Sequence, residues 1–205
     1  MVNSMATATQ PKRQPPVFNL PNQLTAARLG LAFVLFVLIE FHLWVSCGIV
    51  FTIAAFTDWL DGYLARKQGL TSTLGRNMDP LVDKVLVCGA YIFLLPTDAA
   101  RVNAGLAAWM VTVVVSRELI ITGLRGFMET SGITFGADWL GKIKMVLQCV
   151  TLLAIFAFLA EWETLSAYAP VRDVLIYATL FITALSGLQY IWRACSILRL
   201  DEALR

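Results

Sequence analysis

The sequence predicts an all-α, polytopic membrane protein with six transmembrane helices, on three observations. Hydrophobic residues make up 58% of the 205-residue chain, and the mean hydropathy is +0.70. Charged residues make up only 15%, where a soluble domain carries about a quarter. The apolar residues fall into long runs, and a helix needs about 20 mostly apolar residues to cross a bilayer. Backbone groups in lipid must be satisfied within their own segment, which makes the spans helices. A membrane β-barrel would instead show short alternating segments.

The elements follow in chain order. Residues 1–17 are polar and end near Pro15 and Pro16; they read as a disordered cytosolic leader. No short apolar stretch with a small-residue cleavage site precedes the first span, so that span serves as the insertion signal. The spans are expected at 24–41, 44–66, 77–96, 104–126, 141–160 and 171–194. Together they form one membrane domain over 18–205, with no internal repeat. Cys47, Cys88, Cys149 and Cys195 lie within or beside apolar runs with no CxxC pair, and read as small core hydrophobes. His42 is the only histidine, which excludes a His-rich metal site. Trp44, Trp139 and Trp162 near span ends form an aromatic belt, not a stacking platform for nucleic acid.

The net charge of +2 says little, but its placement says more. Lys12, Arg13, Arg66, Lys67, Arg76, Arg125, Lys142, Lys144, Arg193, Arg199 and Arg205 gather at the termini and the even connections. The odd connections carry only His42, Arg101 and Arg172. The positive-inside rule then puts both termini in the cytoplasm.

Four acids interrupt this pattern: Asp58, Asp61, Asp79 and Asp83, in or beside the second and third spans. Carboxylates in membrane segments are costly and mark function. The plainer alternative is that the second span stops near residue 57 and the acids cap helices in water. The spacing argues against it. At about 100° per residue, Asp58, Asp61, Gly62 and Ala65 share one helix face, and Gly75, Asp79 and Asp83 share another. A short link over 67–74 makes the two helices antiparallel neighbours, so four carboxylates converge near the cytoplasmic surface. Like charges so close need a cation. The all-oxygen donor set suits Mg2+ or Mn2+, with two ions a common solution for phosphoryl chemistry. Gly62, Ala65 and Gly75 permit close approach, and Arg66 adds a positive charge suited to phosphate.

The run from Asp58 through Asp61, Gly62, Ala65 and Arg66, then Gly75, Asp79 and Asp83, resembles the signature of the CDP-alcohol phosphotransferase family at every position. That resemblance implies a six-helix membrane enzyme, usually a homodimer, using divalent metal at a site open to the cytoplasm. It implies metal binding by Asp58, Asp61, Asp79 and Asp83, with Asp83 also the general base. Gly62, Ala65, Arg66 and Gly75 would border the CDP group of a CDP-diacylglycerol donor.

Three further segments bear on the acceptor. These are Asn19–Arg28 ahead of the first span, Ser116–Arg125 in the fourth and Trp139–Lys144 opening the fifth. Together they resemble the bacterial phosphatidylglycerophosphate synthase branch of that family. This implies glycerol 3-phosphate as acceptor and an inner-membrane location, with membrane lipids around the spans. Arg117, Arg125, Lys142 and Lys144 are the candidate ligands of the acceptor phosphate, and Asn22, Thr25 and Arg28 border the site. Arg125 lies about 80° around the helix from Arg117, and Lys142 about 200° from Lys144, so only one of the lysines faces the pocket squarely. The alternative for Arg117 is an ion pair with a buried carboxylate such as Glu118; for Arg125 and the lysines it is lipid-headgroup contact at helix ends. For Thr25 and Arg28 it is a helix start and an interfacial anchor. Rival functions are a related enzyme acting on phosphatidylglycerol or inositol phosphate, an ion transporter and a non-catalytic scaffold. Transporters tend to show repeated halves and broken helices, which this chain lacks.

Overall fold

A computed structural model describes residues 20–68, 73–95, 104–130, 139–161, 164 and 166–203, with side chains described over 23–57, 81–95, 104–128, 130, 139–161, 164 and 167–197. The leader expected over 1–17 lies outside these residues. Six α-helices make up the described chain: α1 Leu20–Glu40, α2 Trp44–Gln68, α3 Thr73–Phe93, α4 Ala108–Thr130, α5 Trp139–Ala160 and α6 Ala169–Ala203. A single 3-10 turn, Ser166–Tyr168, leads into α6, and no strand occurs among the described residues.

Each expected span corresponds to one helix, with shifted ends. α4 begins at Ala108 rather than 104 because Gly105 takes a left-handed conformation, φ 74°, which ends any helix there. A Cβ on Gly105 would lie 2.7 Å from Arg172 Nε, so the glycine also makes room for that guanidinium. Arg172 in turn packs 4.4 Å from the Phe158 ring centre and donates to Asp173 at 2.7 and 2.9 Å. α6 runs nine residues past the expected end at 194, into a stretch where Arg199, Asp201 and Glu202 lower the hydropathy.

The α1–α2 corner takes three residues. His42 adopts φ 57°, its N–H donates to Ile39 O at 2.9 Å, and the Leu43 N–H donates to Leu38 O at 3.0 Å. This is a Schellman stop, with histidine where glycine is usual. It reverses the chain so that α2 returns along α1.

The most extensive packing is of α1 on α2 and α3, then of α5 on α6. Contacts give the directions. Arg28 meets Asp83 while Phe36 meets Gly89 and Phe93, so α1 and α3 run parallel. Thr151 meets Leu175 and Thr179 while Leu147 meets Thr179, so α5 and α6 run antiparallel. Arg117 meets Ser186 while Arg125 meets Tyr190, so α4 and α6 run parallel. The helices therefore alternate in direction within α1–α3 and within α4–α6.

The usual distribution of residues is inverted. Arg28, Thr151, Thr183 and Ser186 are buried to 1% exposure or less, whereas Phe33, Phe181, Leu188 and Trp192 are 59–74% exposed. An apolar surface around a partly polar interior is what lipid selects. α1 over Gln23–Glu40, α5 over Trp139–Ala160 and α6 over Ala169–Ile197 are long and apolar enough to cross a membrane. α2 is apolar over the shorter stretch Trp44–Thr57.

Away from the charged residues the interior is apolar, built on Leu35, Phe36, Ile39, Phe51, Leu94, Ile155 and Phe156. Phe36 stacks on Phe93 at 4.7 Å with an interplanar angle of 5°. Its ring tip fills the space where a Cβ of Gly89 would stand, 2.2 Å from Phe36 Cζ. Gly89→Ala is expected to destabilise the protein by about 1–3 kcal/mol through this overpacking, read as a lower unfolding midpoint in SDS titration.

Candidate active site

The site is assembled where four helices bring charge into the interior. Arg28, one turn after buried Thr25 on α1, has no exposed surface, and its Nη1 donates to Asp83 Oδ1 of α3 at 2.7 Å. A buried guanidinium without a counter-ion would cost several kcal/mol, so this pair fixes α1 against α3. Asp83 keeps part of its surface open, with its side chain 29% exposed.

Asp83 is the one member of the aspartate set whose side chain is described. Asp58, Asp61, Gly62, Ala65 and Arg66 fall in the second half of α2, and Gly75 and Asp79 in the first turns of α3. Their side chains, like that of Asn22, lie outside the described residues, and so does the expected convergence of carboxylates. Among the described residues no group of three His, Cys, Asp or Glu gathers in metal-binding geometry.

A second cluster lies on α4, α5 and α6. Glu118 is buried, and its Oε1 is the common acceptor of three donors. Lys144 Nζ of α5 donates to it in a close ion pair, Arg117 Nη1 donates at 3.2 Å, and Gln148 Nε2 reaches it at 3.5 Å. The other end of the Arg117 guanidinium, Nη2, donates to Ser186 Oγ of α6 at 2.9 Å. Gly187 lets the stem of Arg117 lie close, since a Cβ there would be 3.0 Å from Arg117 Cγ. Among the described residues, Arg117 Nε and Thr183 Oγ1 are buried with no hydrogen-bond partner.

Two turns further along α4, Arg125 Nε donates to the Tyr190 hydroxyl at 3.3 Å, with the guanidinium 5.7 Å from the ring centre. Lys142 is exposed while Lys144 is buried, which settles which of the two lysines faces inward. The ion pair weighed for Arg117 exists. It leaves the cations in excess, because Glu118 answers both Arg117 and Lys144.

Lys84 links the two clusters. It follows Asp83 directly and lies within electrostatic reach of Asp83, Glu118 and Arg125. Sequence reasoning passed over it because neighbours in a helix point about 100° apart, which set it off the aspartate face. Gln148, Ser186 and Tyr190 were missed as well; polar residues of such ordinary kind in apolar runs carry no spacing signal. Arg28, Lys84, Arg117 and Lys144 thus share an interior whose described carboxylates are Asp83 and Glu118, with Arg125 exposed at its edge. An interior so charged is suited to an anion.

A model of the CDP-alcohol phosphatidyltransferase family matches residues 18–197. The chain is 37% identical over 191 residues to a Bacillus subtilis protein named CDP-diacylglycerol–glycerol-3-phosphate 3-phosphatidyltransferase, covering 85% of this chain and 94% of that one. Proteins of the same name from Pectobacterium atrosepticum and Rickettsia typhi are each 31% identical. These cover 85% and 86% of this chain, and 93% and 97% of the relatives.

The Arg28–Asp83 pair has a measurable signature. Arg28→Met and Asp83→Asn are each expected to cost about 1–3 kcal/mol of stability. The double variant is expected to lose about 1 kcal/mol less than the sum, because the two residues are coupled. SDS unfolding of the four proteins checks this; strict additivity would mean that the pair contributes nothing.

Proposed function

Because this chain belongs to the CDP-alcohol phosphatidyltransferase family, we propose that it transfers the phosphatidyl group of CDP-diacylglycerol to glycerol 3-phosphate, giving phosphatidylglycerophosphate and CMP. The observation that carries the choice of acceptor is the surplus of cations around Glu118 among the described residues, where Arg117 and Lys144 share its one carboxylate. A neutral alcohol has no use for it; a phosphorylated one has. The names of the relatives point the same way.

All six helices cross the membrane in this reading, with both termini and the site on the cytoplasmic side of a bacterial inner membrane. The alternating helix directions support it. α2, α3 and α4 are also the helices that carry the signature acids and the Arg117–Glu118 pair. Charge needed for function lowers the hydropathy of a span that protein neighbours shield. The enzyme acts as a homodimer, as its family resemblance implies.

Asp58, Asp61, Asp79 and Asp83 would hold Mg2+ or Mn2+. The donor set fits: it is carboxylate oxygen throughout, with no thiol or imidazole in the signature. Bound there, the ions would supply positive charge against the pyrophosphate of the donor. The protein's own groups do the rest. Gly62, Ala65, Arg66 and Gly75 border the CDP moiety. Arg117, Arg125 and Lys144 bind the acceptor phosphate, with Lys142 at the exposed entrance, and Asn22, Thr25 and Arg28 close the site beside Asp83. Arg28 orients Asp83. Asp83 accepts the proton of the acceptor hydroxyl as that oxygen bonds to the lipid-bearing phosphorus, and the bond from that phosphorus to the CMP oxygen breaks.

The test is direct. Purified protein in detergent, given CDP-diacylglycerol, Mg2+ and radiolabelled glycerol 3-phosphate, is expected to label the lipid fraction and release CMP. EDTA and Asp79→Asn should abolish both. Release of CMP only with inositol phosphate or phosphatidylglycerol would overturn the acceptor and keep the family reaction. Asp83→Asn with its metal content intact is expected to lower kcat by about a hundredfold or more; wild-type turnover would remove its role as base.

A further inference from the structure

Glu118 belongs to no part of the transfer step described above, yet it is buried and accepts from three side chains on two helices. Its Oε1 takes donors from Arg117 beside it and from Lys144 and Gln148 on α5. Arg117 passes the connection to Ser186 on α6. One carboxylate oxygen thereby ties three helices together at the cations that the acceptor phosphate requires.

We propose that Glu118 is a positioning residue for the acceptor, gathering Arg117 and Lys144 into one phosphate seat. This rests on the reading that the acceptor carries a phosphate. Three features support it beyond a merely structural ion pair. First, among the described residues the charges do not balance: two cations share one oxygen, with Lys84 in electrostatic reach. A pair that served only to bury charge would be neutral. Second, Arg117 is held by both ends of its guanidinium, and its Nε is left buried without a hydrogen-bond partner among the described residues. An arginine so fixed keeps its charge in one place. Third, Gly187 admits the stem of Arg117, so α6 is shaped around that arginine.

The physical reason for an acid in a phosphate site is preorganisation. Two cations in a low-dielectric interior repel each other, and a long lysine stem can carry its charge away to the membrane surface. Glu118 keeps both in place between turnovers, so the acceptor need not assemble its own site. The net charge left over still favours a phosphomonoester dianion.

Steady-state kinetics on Glu118→Gln test the idea, with each substrate varied in turn. Wild-type turnover with glycerol 3-phosphate is measured first. Its absence, with turnover on an unphosphorylated alcohol, would overturn both the function and this inference. Given wild-type turnover, Glu118→Gln is expected to raise KM for glycerol 3-phosphate by about ten- to a hundredfold, the worth of a charged hydrogen bond. kcat and KM for CDP-diacylglycerol should stay unchanged, which a general loosening of the fold would not leave so. In a Lys144→Met background the same substitution should add much less. An unchanged KM, additive effects, or a lowered KM, meaning that Glu118 competes with the acceptor, would each overturn the role while leaving the reaction intact. Glu118→Asp keeps the charge but draws it back by one methylene. It is expected to raise the same KM, and supplies the answer if Glu118→Gln does not fold; a wild-type KM there overturns the proposal.

Discussion

Charge buried inside a bundle that faces lipid must be answered from within the bundle, and the arrangement of the helices depends on that constraint. Lipid tails are as apolar as leucine, so burying leucine between two helices gives little preference for one register over another. A misplaced charge is different, because it finds neither water nor a partner. Arg28 and Asp83 set α1 against α3, Lys144 and Glu118 set α5 against α4, and Arg117 with Ser186 sets α4 against α6. The hydroxyls of Thr151 and Thr179, 2.7 Å apart, add a weaker tie between α5 and α6. Apolar packing around Phe36, Phe51 and Phe156 then fills the space those ties define.

The same ties make the site. A soluble enzyme would bring its charged residues together on loops over an apolar core. Here the core is itself charged over one stretch, and the surface is apolar because its solvent is apolar. Donor tails in the bilayer and a small polar acceptor from water approach such a site from different phases. An interior that holds cations beside a partly open carboxylate is placed between the two.

The six helices were legible because each is long and the hydropathy signal is summed over about 20 residues. What blurred the ends was local. Gly105 sets where α4 begins by backbone conformation, and α6 continues past its apolar run into charged residues. That Arg28 borders Asp83 could be read because a charge in an apolar run is conspicuous. The linking residues could not. Lys84 sits one position off the aspartate face, while Gln148, Ser186 and Tyr190 acquire their roles only from which helix lies opposite. Lys142 and Lys144 were distinguishable as a pair on opposite faces, but only packing against α4 decided that Lys144 turns inward.

The length of α6 has a mechanical consequence. Its 35 residues make a rod about 52 Å long, against a hydrocarbon layer of about 30 Å. No upright placement fits such a rod within the layer, so it leans or its far end stands out into water. Ser186 and Tyr190, which hold Arg117 and Arg125, sit at the middle of that rod and about one turn beyond it. Whichever way α6 meets that excess, the side chains that hold Arg117 and Arg125 follow it, and membrane thickness becomes one of the dimensions to which this protein is built.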